Sequence, residues 1–389
     1  MKLLIYNWRS FLQMDLYYVL DRMGISYDVF DYDFSKEGRD KNYDEHFVKV
    51  FSENYSCTDY DAIFSIAYWP ALSDAAMASG MKYISWSYDC PLDATNPTRT
   101  LNNPCNYVFL FDSNQVDSYI SEGINTVYHM PLGINVDRYE TYSILDSRCN
   151  PYRTDISFVG DLYLSSTKGL KQIISTETAN LLDDIIEKQK HNSKYELHEL
   201  ISTSFTDKIN NEIEALNPLL SGNITQSHLE YTIAREITSY NRLMLLMLLG
   251  KIGNTTLYTS SNVDTLPNID VHPRISYVDE MPWCFAASKV NLNSTLITIT
   301  SALPLRALDI MACGGFLLSN NQQEFKSMGY VDGQNVALFS SFEEAVEKCR
   351  FYLSHEDLRS QIAQKGRATT FQNHRLDSRL KEILTISFK

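Results

Sequence analysis

In the first part of the chain, segments with the apolar spacing of a strand alternate with segments that have the apolar spacing of a helix. Short apolar or alternating runs predict strands, and apolar positions three and four residues apart predict the helices between them. The predicted strands are 2–7, 27–32, 61–67, 82–88, 108–111 and 126–130, and the predicted helices include 12–23, 43–51, 70–79 and 113–123. Gly24 and Gly80 stand where two of these helices should end. Short connections between alternating strands and helices predict a doubly wound parallel sheet.

The same alternation starts again near residue 155 and predicts a second sheet. Its predicted strands are 155–159, 254–260, 289–293 and 315–319, and its predicted helices include 302–313, 342–353, 356–368 and 374–386. Residues 164–250 read as mostly helical, with 236–249 as the clearest helix and the charged faces as solvated. A chain of 389 residues exceeds what one hydrophobic core usually supports, so two domains are expected.

Charge and composition narrow the class of protein. The net charge is −14 and the pI is about 5.0, so binding of nucleic acid through a general phosphate field is not expected. Residues 1–6 are too short for a signal peptide, and the apolar run 243–249 is too short to cross a membrane. Seven cysteines without a C-x-x-C pair fit reduced thiols. We therefore expect a cytoplasmic protein without a transmembrane segment.

No metal or cofactor site is expected from the sequence. The eight histidines include no H-x-x-x-H pair beside a carboxylate, and Gly160 does not belong to a G-x-G-x-x-G motif, which disfavours NAD. Two D-x-D words occur, at 31–33 and 59–61. Neither stands in the context in which such a word holds a metal and a diphosphate, so metal-dependent catalysis is a minor alternative.

The stretch 274–325 carries the most specific chemistry. Its predicted helix 302–313 has Pro304 in the first turn, with Arg306 and Asp309 close behind. A helix N-terminus with free backbone N–H groups and a guanidinium suits a diphosphate, and a carboxylate one turn later can accept ribose hydroxyls. The sequence therefore predicts a nucleotide-diphosphate ligand. The alternative for Asp309 is a carboxylate that only interacts with the helix dipole.

Several short segments of the sequence resemble one family of enzymes. Segments 278–282, 288–293, 304–311 and 314–318 closely resemble the C-terminal nucleotide-sugar domain of bacterial GT-B glycosyltransferases of the CgeB-like, spore-maturation type, a glycosyl transferases group 1 domain. The W-x-x-D-x-P word at Trp86, Asp89 and Pro91, and the segment 130–137, resemble the amino-terminal half of the same family. The resemblance implies two Rossmann-like domains that face each other across a cleft.

The resemblance also implies a domain division and a donor site. The domains would be 1–140 on the acceptor side, a linker 141–153, the nucleotide-sugar domain 154–372, and a helix 373–389 that crosses back to the first domain. The implied donor-binding residues are Gly160, Tyr163, Ile275, Tyr277, Asn293, Pro304, Leu305, Arg306 and Asp309. In related enzymes two glutamates eight positions apart flank this loop. Here Asp309 stands at the second position and Ser301 at the first, so no role of a first carboxylate is carried over.

Some of these residues have plainer alternatives. Ile275 could face the core and Tyr277 the solvent, instead of both lining the base of the nucleotide. Lys289 could help neutralise the diphosphate or could be a solvated residue at a strand edge. His129, just before the segment 130–137, could face the cleft, although a structural role is the simpler interpretation.

Asp89 is the candidate catalytic residue. It stands at the end of a predicted strand, where a carboxylate in a cleft can reach an acceptor hydroxyl and act as a general base. The alternative is that Asp89 caps the turn before Pro91, which is a frequent use of aspartate.

The resemblance implies a metal-independent glycosyltransferase, with UDP as the favoured carrier and no cofactor beyond the nucleotide-sugar donor. The acceptor would be a hydroxyl on a glycan, a protein or a surface polymer. A GT-B-shaped nucleotide-sugar epimerase and a catalytically decayed nucleotide-sugar-binding module are the alternatives. The sequence does not indicate the sugar, the acceptor, the stereochemistry or the oligomeric state.

Overall fold

The computed structural model describes residues 1–8, 10–32, 41–92, 98–142, 145–192, 194–217, 224–263 and 265–389. Within these ranges the chain forms two six-stranded sheets, and every pairing between neighbouring strands is parallel. This confirms the predicted fold class of two doubly wound parallel sheets.

The first sheet is built from residues 2–129. Its elements are β1 (Lys2–Tyr6), α1 (Gln13–Met23), β2 (Ser26–Phe30), α2 (Lys41–Asn54), β3 (Ala62–Ile66), α3 (Pro70–Ser79), β4 (Lys82–Ser87), α4 (Thr98–Leu101), β5 (Asn106–Leu110), α5 (Ser113–Ser121) and β6 (Val127–His129). The strand order is β2-β1-β3-β4-β5-β6. Gly24 and Gly80 end α1 and α3 in the left-handed conformation, as predicted.

The second sheet follows α6 (Val136–Glu140) and a 3₁₀ helix (Ser147–Tyr152). Its elements are β7 (Ile156–Val159), α7 (Lys168–Ile173), α8 (Thr176–Lys190), α9 (Leu197–Leu200), α10 (Thr203–Leu216), α11 (Gln226–Leu249), β8 (Thr255–Thr259), β9 (Ile269–Pro273), α12 (Met281–Ala287), β10 (Val290–Asn293), α13 (Leu305–Ala312), β11 (Leu317–Asn320), α14 (Glu324–Ser327), β12 (Ala337–Phe339), α15 (Phe342–Ser354), α16 (Glu356–Asn373) and α17 (Leu376–Ser387). The strand order is β12-β11-β10-β7-β8-β9.

Each sheet has one point where the strand order reverses. In the second sheet this point lies beside β7, whose neighbours are β10 and β8. Ligands of open parallel sheets bind in the crevice beyond the carboxyl ends of the strands at such a point. The topology therefore predicts a ligand site at the loops that follow β7 and β10.

The helices α7–α11 form a module with an apolar core of its own. Leu182, Leu197, Ile209 and Ile233 are fully buried in it and belong to one cluster. The predicted helix 236–249 begins ten residues earlier, at Gln226, because Leu229 and Ile233 also pack into this core. The module contacts the second sheet through the C-terminal part of α11, where Leu245, Leu246 and Leu249 pack into the core of that sheet.

The last helix lies against the first half of the molecule. Ile134 exchanges backbone hydrogen bonds with the segment before α17, donating to the oxygen of His374 at 2.8 Å and accepting from the nitrogen of Leu376 at 2.9 Å. At the far end of the helix, Lys82 donates from Nζ to the oxygen of Ser387 at 2.6 Å. The chain thus passes between the two halves twice, at neighbouring positions.

The helix that carries Arg306 begins later than the sequence predicts. It runs from Leu305, and Pro304 is its N-cap in extended conformation instead of a residue of its first turn. Residues 300–302 belong to the preceding loop, where a carboxylate of the other half of the molecule binds their N–H groups. A contact from so distant a part of the chain has no signal in the local apolar spacing.

Gly314 and Gly315 connect α13 to β11 for different physical reasons. Gly314 has a φ of +78°, which favours glycine. A Cβ at Gly315 would lie 2.7 Å from both Nδ2 of Asn291 and the backbone oxygen of Phe285. The strand can therefore approach α12 and β10 this closely only without a side chain.

We expect Gly315→Ala to lower the free energy of unfolding by roughly 1–3 kcal/mol, since overpacking forces backbone shifts. Urea denaturation measures this change. Gly169→Ala is the matched control, because a Cβ in α7 meets nothing within 4 Å. Equal stability of the two variants would contradict the close approach at Gly315.

Candidate functional site

Arg242 joins the two loops at the crevice of the second sheet. This buried side chain of α11 donates from Nε and Nη2 to the oxygen of Ser294, at 3.1 and 2.8 Å, and from Nη1 to the oxygen of Asp161. Asp161 follows β7 and Ser294 follows β10. One guanidinium therefore holds both walls of the crevice in place.

Tyr163 is clamped in the loop after β7. Its φ is +54°, an unusual conformation for a bulky side chain. The guanidinium of Arg235 lies 4.8 Å from the centre of its ring and that of Arg242 lies 4.6 Å away. These two cation–π contacts offset the strained backbone and fix the loop that the sequence assigned to the donor.

Arg306 brings a third guanidinium to the same place. It lies in the first turn of α13, with its Cζ 5.4 Å from the ring centre of Phe285 and its Nη1 against the sulfur of Met281. Burial lowers the pKa of Arg242, and the positive charge of Arg306 lowers it further. The start of α13, which carries Arg306, follows β10 along the chain, as Ser294 does. The N-cap of α13, Pro304, makes no side-chain capping hydrogen bond.

Arg235 adds positive charge near the loop after β7, where it contacts the ring of Tyr163. Within the described ranges no carboxylate forms an ion pair with it, and its buried Nε has no hydrogen-bond partner there. Burial would raise the pKa of Asp161, but hydrogen bonds from the hydroxyl of Ser261 and the nitrogen of Tyr163, with the charges of Arg235 and Arg242, hold this pKa below its usual value. In a protein with a net charge of −14, these guanidiniums make a local concentration of positive charge, which suits an anion. Sequence reasoning missed Arg235 and Arg242, because residues on an amphipathic helix look like a solvated face.

Asp309 lies beside this cluster but is almost fully buried, at 2% exposure. Its Oδ1 accepts hydrogen bonds from the hydroxyls of Tyr139, at 2.6 Å, and Tyr277, at 2.9 Å. Its Oδ2 lies 3.9 Å from Nη1 of Arg306. Burial raises the pKa of the Asp309 carboxyl, and Arg306 opposes this rise. A ligand hydroxyl can therefore approach Asp309 only from the side of Arg306 unless a tyrosine moves.

The tyrosine contacts connect Asp309 to the other half of the molecule. Arg138 donates from Nη2 to the hydroxyl of Tyr139 at 2.9 Å and, from Nε and Nη2, to both carboxylate oxygens of Asp15 in α1, at 3.1 and 2.7 Å. The chain of contacts thus runs from α1 through α6 to α13. Tyr277 is half-buried and its hydroxyl is used in this network, which argues against the alternative of a purely solvent-facing side chain.

The loop before α13 holds a carboxylate from the first half. Oδ2 of Asp112 accepts hydrogen bonds from the backbone nitrogens of Thr300, Ser301 and Ala302, at 2.8, 2.9 and 3.3 Å. Asp112 is fully buried, and its Oδ1 caps α5 through the nitrogen of Gln115 at 3.1 Å. The expectation that the backbone N–H groups entering this helix are free is therefore wrong for residues 300–302.

Glu324 lies where Ser301 departs from the family pattern. Its Oε1 accepts hydrogen bonds from Oγ of Ser301 at 2.8 Å and from the nitrogen of Ser113 at 3.0 Å, and its Oε2 lies 3.4 Å from Nε2 of His129. Burial would raise the pKa of Glu324, but the hydrogen bonds outweigh it and hold the pKa below its usual value. The carboxylate beside Ser301 thus comes from Glu324, in the later helix α14. The spacing between Ser301 and Asp309 in the sequence could not reveal this contact.

His129 forms an ion pair across the two halves when it is protonated. Glu324 raises the pKa of His129 above its usual value, against the effect of burial. A raised pKa in the folded state means that the stabilisation is complete below the unfolded pKa of about 6.5. It is lost as the pH rises through the folded pKa.

We therefore expect the difference in thermal midpoint between the wild type and His129→Gln to be larger at pH 6 than at pH 9. Differential scanning fluorimetry across this range measures it. His191→Gln is the matched control, since His191 is 84% exposed and lies 3.8 Å from Glu187. A difference that grows with pH would contradict the pairing of His129 with Glu324.

The other predicted donor residues occupy varied positions. Ile275 is 7% exposed and packs in the core, which agrees with the plainer alternative for its side chain. Asn293 is buried at the end of β10, where its Nδ2 donates to Oγ1 of Thr295 and Oγ of Ser319. A Cβ at Gly160 would lie 3.3 Å from the ring of Phe158. Pro304 and Leu305 stand at the start of α13, beside Arg306.

Lys289 and one of the D-x-D words lie at the amino ends of the strands, away from the crevice. Lys289 precedes β10 and pairs with Oδ1 of Asp155, just before β7, at 2.8 Å. Its role in neutralising the diphosphate is therefore excluded. Asp61 precedes β3, and its Oδ2 accepts from the nitrogen of Lys2 at 2.6 Å. The first D-x-D word includes Asp33, which lies outside the described residues.

Asp89 is exposed beyond the carboxyl end of β4. The hydroxyl of Ser87 accepts from the nitrogen of Asp89 at 3.3 Å and donates to its oxygen at 3.2 Å. The hydroxyl of Ser87 therefore helps to hold the turn before Pro91. The next residue, Cys90, accepts at its oxygen from Oγ1 of Thr298 at 2.6 Å, so the turn touches the second half.

Over the described ranges, no group of three or more histidine, cysteine, aspartate or glutamate side chains could hold a metal ion. In the same part of the chain, none of the helices combines the length and apolar character needed to cross a bilayer.

Part of the chain is similar to a known protein family. Residues 244–385, a little over a third of the chain, match a protein-family model described as "Glycosyl transferase-like". None of the curated proteins matches the chain.

Solved structures match over the whole chain at low identity. A glycosyltransferase from Rickettsia africae is 12% identical, with a TM-score of 0.54, covering 99% of this chain and 97% of that one. Sucrose-phosphate synthase from Thermosynechococcus elongatus is 9% identical, with a TM-score of 0.58 and coverage of 99% and 98%. Anabaena HepE in complex with UDP-glucose is 9% identical, with a TM-score of 0.57 and coverage of 99% for both chains. The protein therefore has the GT-B fold, and its residues 244–385 are similar to the glycosyl transferase-like family.

Proposed function

We propose that this protein is a glycosyltransferase that moves a sugar from a nucleotide-diphosphate donor to an acceptor hydroxyl. The observation that carries the proposal is the group of three guanidiniums, Arg235, Arg242 and Arg306, at the crevice between β7 and β10. A crevice at this point of a parallel sheet, with positive charge and a helix N-terminus, suits a diphosphate. UDP is the proposed carrier, since the similar HepE was solved with UDP and with UDP-glucose.

The proposed chemistry follows from the charge that develops on the leaving group. Departure of a nucleoside diphosphate builds up negative charge on the phosphate oxygens. Arg306 and Arg235 would stabilise that charge together with the N–H groups of the first turn of α13. Arg242 would act indirectly, because its donors are used to hold the two loops. The proposal assigns this charge compensation to the protein alone, without a divalent metal or another cofactor.

The remaining donor contacts are proposed from the same geometry. Asp309 would accept a ribose hydroxyl at Oδ2, the carboxylate oxygen that faces Arg306. Gly160 and Tyr163 would face the phosphates from the loop after β7, and the segment 275–277 would border the base. The side chain of Asn293 would support the crevice wall, given its buried hydrogen bonds.

The finer identity of the protein is also a proposal. We assign it to the CgeB-like type, with transfer of a hexose and a cytoplasmic location. The domains are 1–140, 154–372 and the linker 141–153 between them, with 373–389 returning to the first domain. The acceptor hydroxyl belongs to a glycan, a protein or a surface polymer.

Incubation with nucleotide sugars tests the proposed function. We expect slow hydrolysis of one UDP-sugar to UDP in the absence of acceptor, detected by chromatography. Interconversion of two nucleotide sugars would instead indicate an epimerase, and tight binding without turnover would indicate a decayed binding module. Absence of both binding and turnover with every donor would overturn the proposal.

We expect Asp89→Asn to keep donor binding and to lose transfer by about 100-fold or more, since a general base contributes roughly 10²–10⁴-fold. Donor affinity by calorimetry and transfer by product analysis measure the two effects separately. Asp207→Asn, an exposed position on α10, is the matched control. Full transfer activity of the Asp89 variant would remove it from the mechanism.

A further inference from the structure

Adjacent strands of the first sheet place aromatic side chains at their carboxyl ends. Trp8 follows β1, Trp69 follows β3 and Tyr88 follows β4, and Phe11 stands between β1 and α1. The ring centres of Trp8 and Trp69 are 5.8 Å apart, those of Trp8 and Tyr88 are 6.2 Å apart, and those of Phe11 and Tyr88 are 5.3 Å apart. We call these four residues the aromatic shelf.

The shelf is partly open to solvent and has a polar border. Phe11 is 40% exposed, and the other three rings are half-buried. Asp89 follows Tyr88 directly and is exposed. On another side, Asn7 donates from Nδ2 to Oδ1 of the exposed Asp31 at 2.8 Å. Apolar faces therefore lie next to carboxylate oxygens that accept hydrogen bonds.

The aromatic shelf contacts the second half of the molecule next to the crevice between β7 and β10. The ring centre of Phe11 lies 5.1 Å from that of Tyr277, whose hydroxyl donates to Asp309. Asp309 in turn lies beside Arg306. A ligand on the shelf would thus be held next to the crevice that we assign to the nucleotide sugar.

We propose that the aromatic shelf binds a neutral sugar ring of the acceptor, which makes the acceptor a glycan. The inference rests on the proposed function, since it names the acceptor of the same reaction. A sugar ring offers an apolar face of C–H groups to the aromatic rings and hydroxyl donors to the carboxylates at the border. Asp31 and Asp89 disfavour an acceptor that carries phosphate or sulfate close to the shelf.

This combination of groups favours a glycan over the other acceptor classes. A hydrophobic peptide or a lipid tail would cover the rings but would leave two carboxylates facing an apolar ligand. A sugar ring uses both kinds of group at once. The position of Asp89 at the edge of the shelf also brings a candidate base next to the acceptor hydroxyl.

Tryptophan fluorescence tests the shelf without catalysis or nucleotide. Trp86 and Trp283 are only 4% and 5% exposed, so a ligand on the shelf is expected to change mainly the emission of Trp8 and Trp69. The probes are neutral tetrasaccharides of glucose, galactose, mannose and N-acetylglucosamine, a sulfated tetrasaccharide and a serine-rich peptide. We expect a saturable change with at least one neutral tetrasaccharide and none with the sulfated probe or the peptide.

A pair of variants then locates the binding. Phe11→Ser is expected to weaken tetrasaccharide binding about 10-fold, and Met14→Ser, at a side chain that is 70% exposed on the same helix region, is expected to leave it unchanged. A response only to the peptide or the sulfated probe, no response at all, or equal behaviour of the two variants would overturn the inference.

The two proposals fail in distinguishable ways. Sugar binding at the shelf without hydrolysis of any donor would count against the transferase alone. Donor hydrolysis without sugar binding at the shelf would count against the glycan acceptor alone.

Discussion

Arg306→Ala is expected to weaken the binding of UDP about 100-fold, the equivalent of roughly 3 kcal/mol. Hydrogen bonds from a charged donor to a phosphate are worth about 1.5–3 kcal/mol each, and a guanidinium can make two of them. Arg306→Lys should lose less, about 10-fold, because lysine keeps the charge but not the planar fork. Isothermal titration calorimetry measures the three affinities.

Lys289→Ala is the matched control for the loss of one positive charge. Lys289 pairs with Asp155 at the opposite ends of the strands, so its removal should leave UDP binding unchanged. Circular dichroism confirms that each variant is folded. Unchanged affinity in a folded Arg306→Ala variant would remove the diphosphate from the start of α13.

Asp112→Ala is expected to lower the stability by roughly 3–5 kcal/mol and to loosen the contact between the two halves. The variant leaves three backbone N–H groups of residues 300–302 without their partner, and each unsatisfied buried donor costs about 1–3 kcal/mol. It also removes the cap of α5, worth about 1 kcal/mol. Water entering the gap recovers part of this loss.

Thermal denaturation and small-angle X-ray scattering measure the two effects of the Asp112 variants. Asp112→Asn keeps one acceptor oxygen and should fall between the wild type and the alanine variant. Asp117→Ala, at an exposed position on the same helix, is the control. A thermal midpoint and a radius of gyration like those of the wild type would contradict the role of Asp112 as a link between the halves.

The fold could be predicted from the sequence because its signals are local. The strands β3 and β4 alternate with a helix and are buried at every position except Lys82, and α3 has the bounds that Pro70 and Gly80 predict. The short strand β12 gave no such signal, since three residues show no period. The helix α10 lies within the stretch 164–250 that was predicted to be mostly helical, but its bounds were not predicted, although Phe205, Ile209 and Ile213 recur four residues apart.

The site was harder to predict because it depends on contacts between distant parts of the chain. Arg306 and Asp309 could be named, since they share one turn of a helix with a recognisable start. Glu324 reaches Ser301 from 23 positions away and Asp112 reaches Thr300 from 188 positions away, so neither contact has a trace in local spacing. Arg235 was overlooked for a related reason, because only the folded loop after β7 places Tyr163 against it.

The paired crossing of the chain near Ile134 and Leu376 limits how the two halves can move. Two backbone segments joined by mutual hydrogen bonds can bend together about one axis, but they resist twisting about each other. We therefore expect the two halves to open and close by a hinge motion about a single axis, without rotation of one half over the other. Each closure would then return the acceptor side and the donor side to the same alignment.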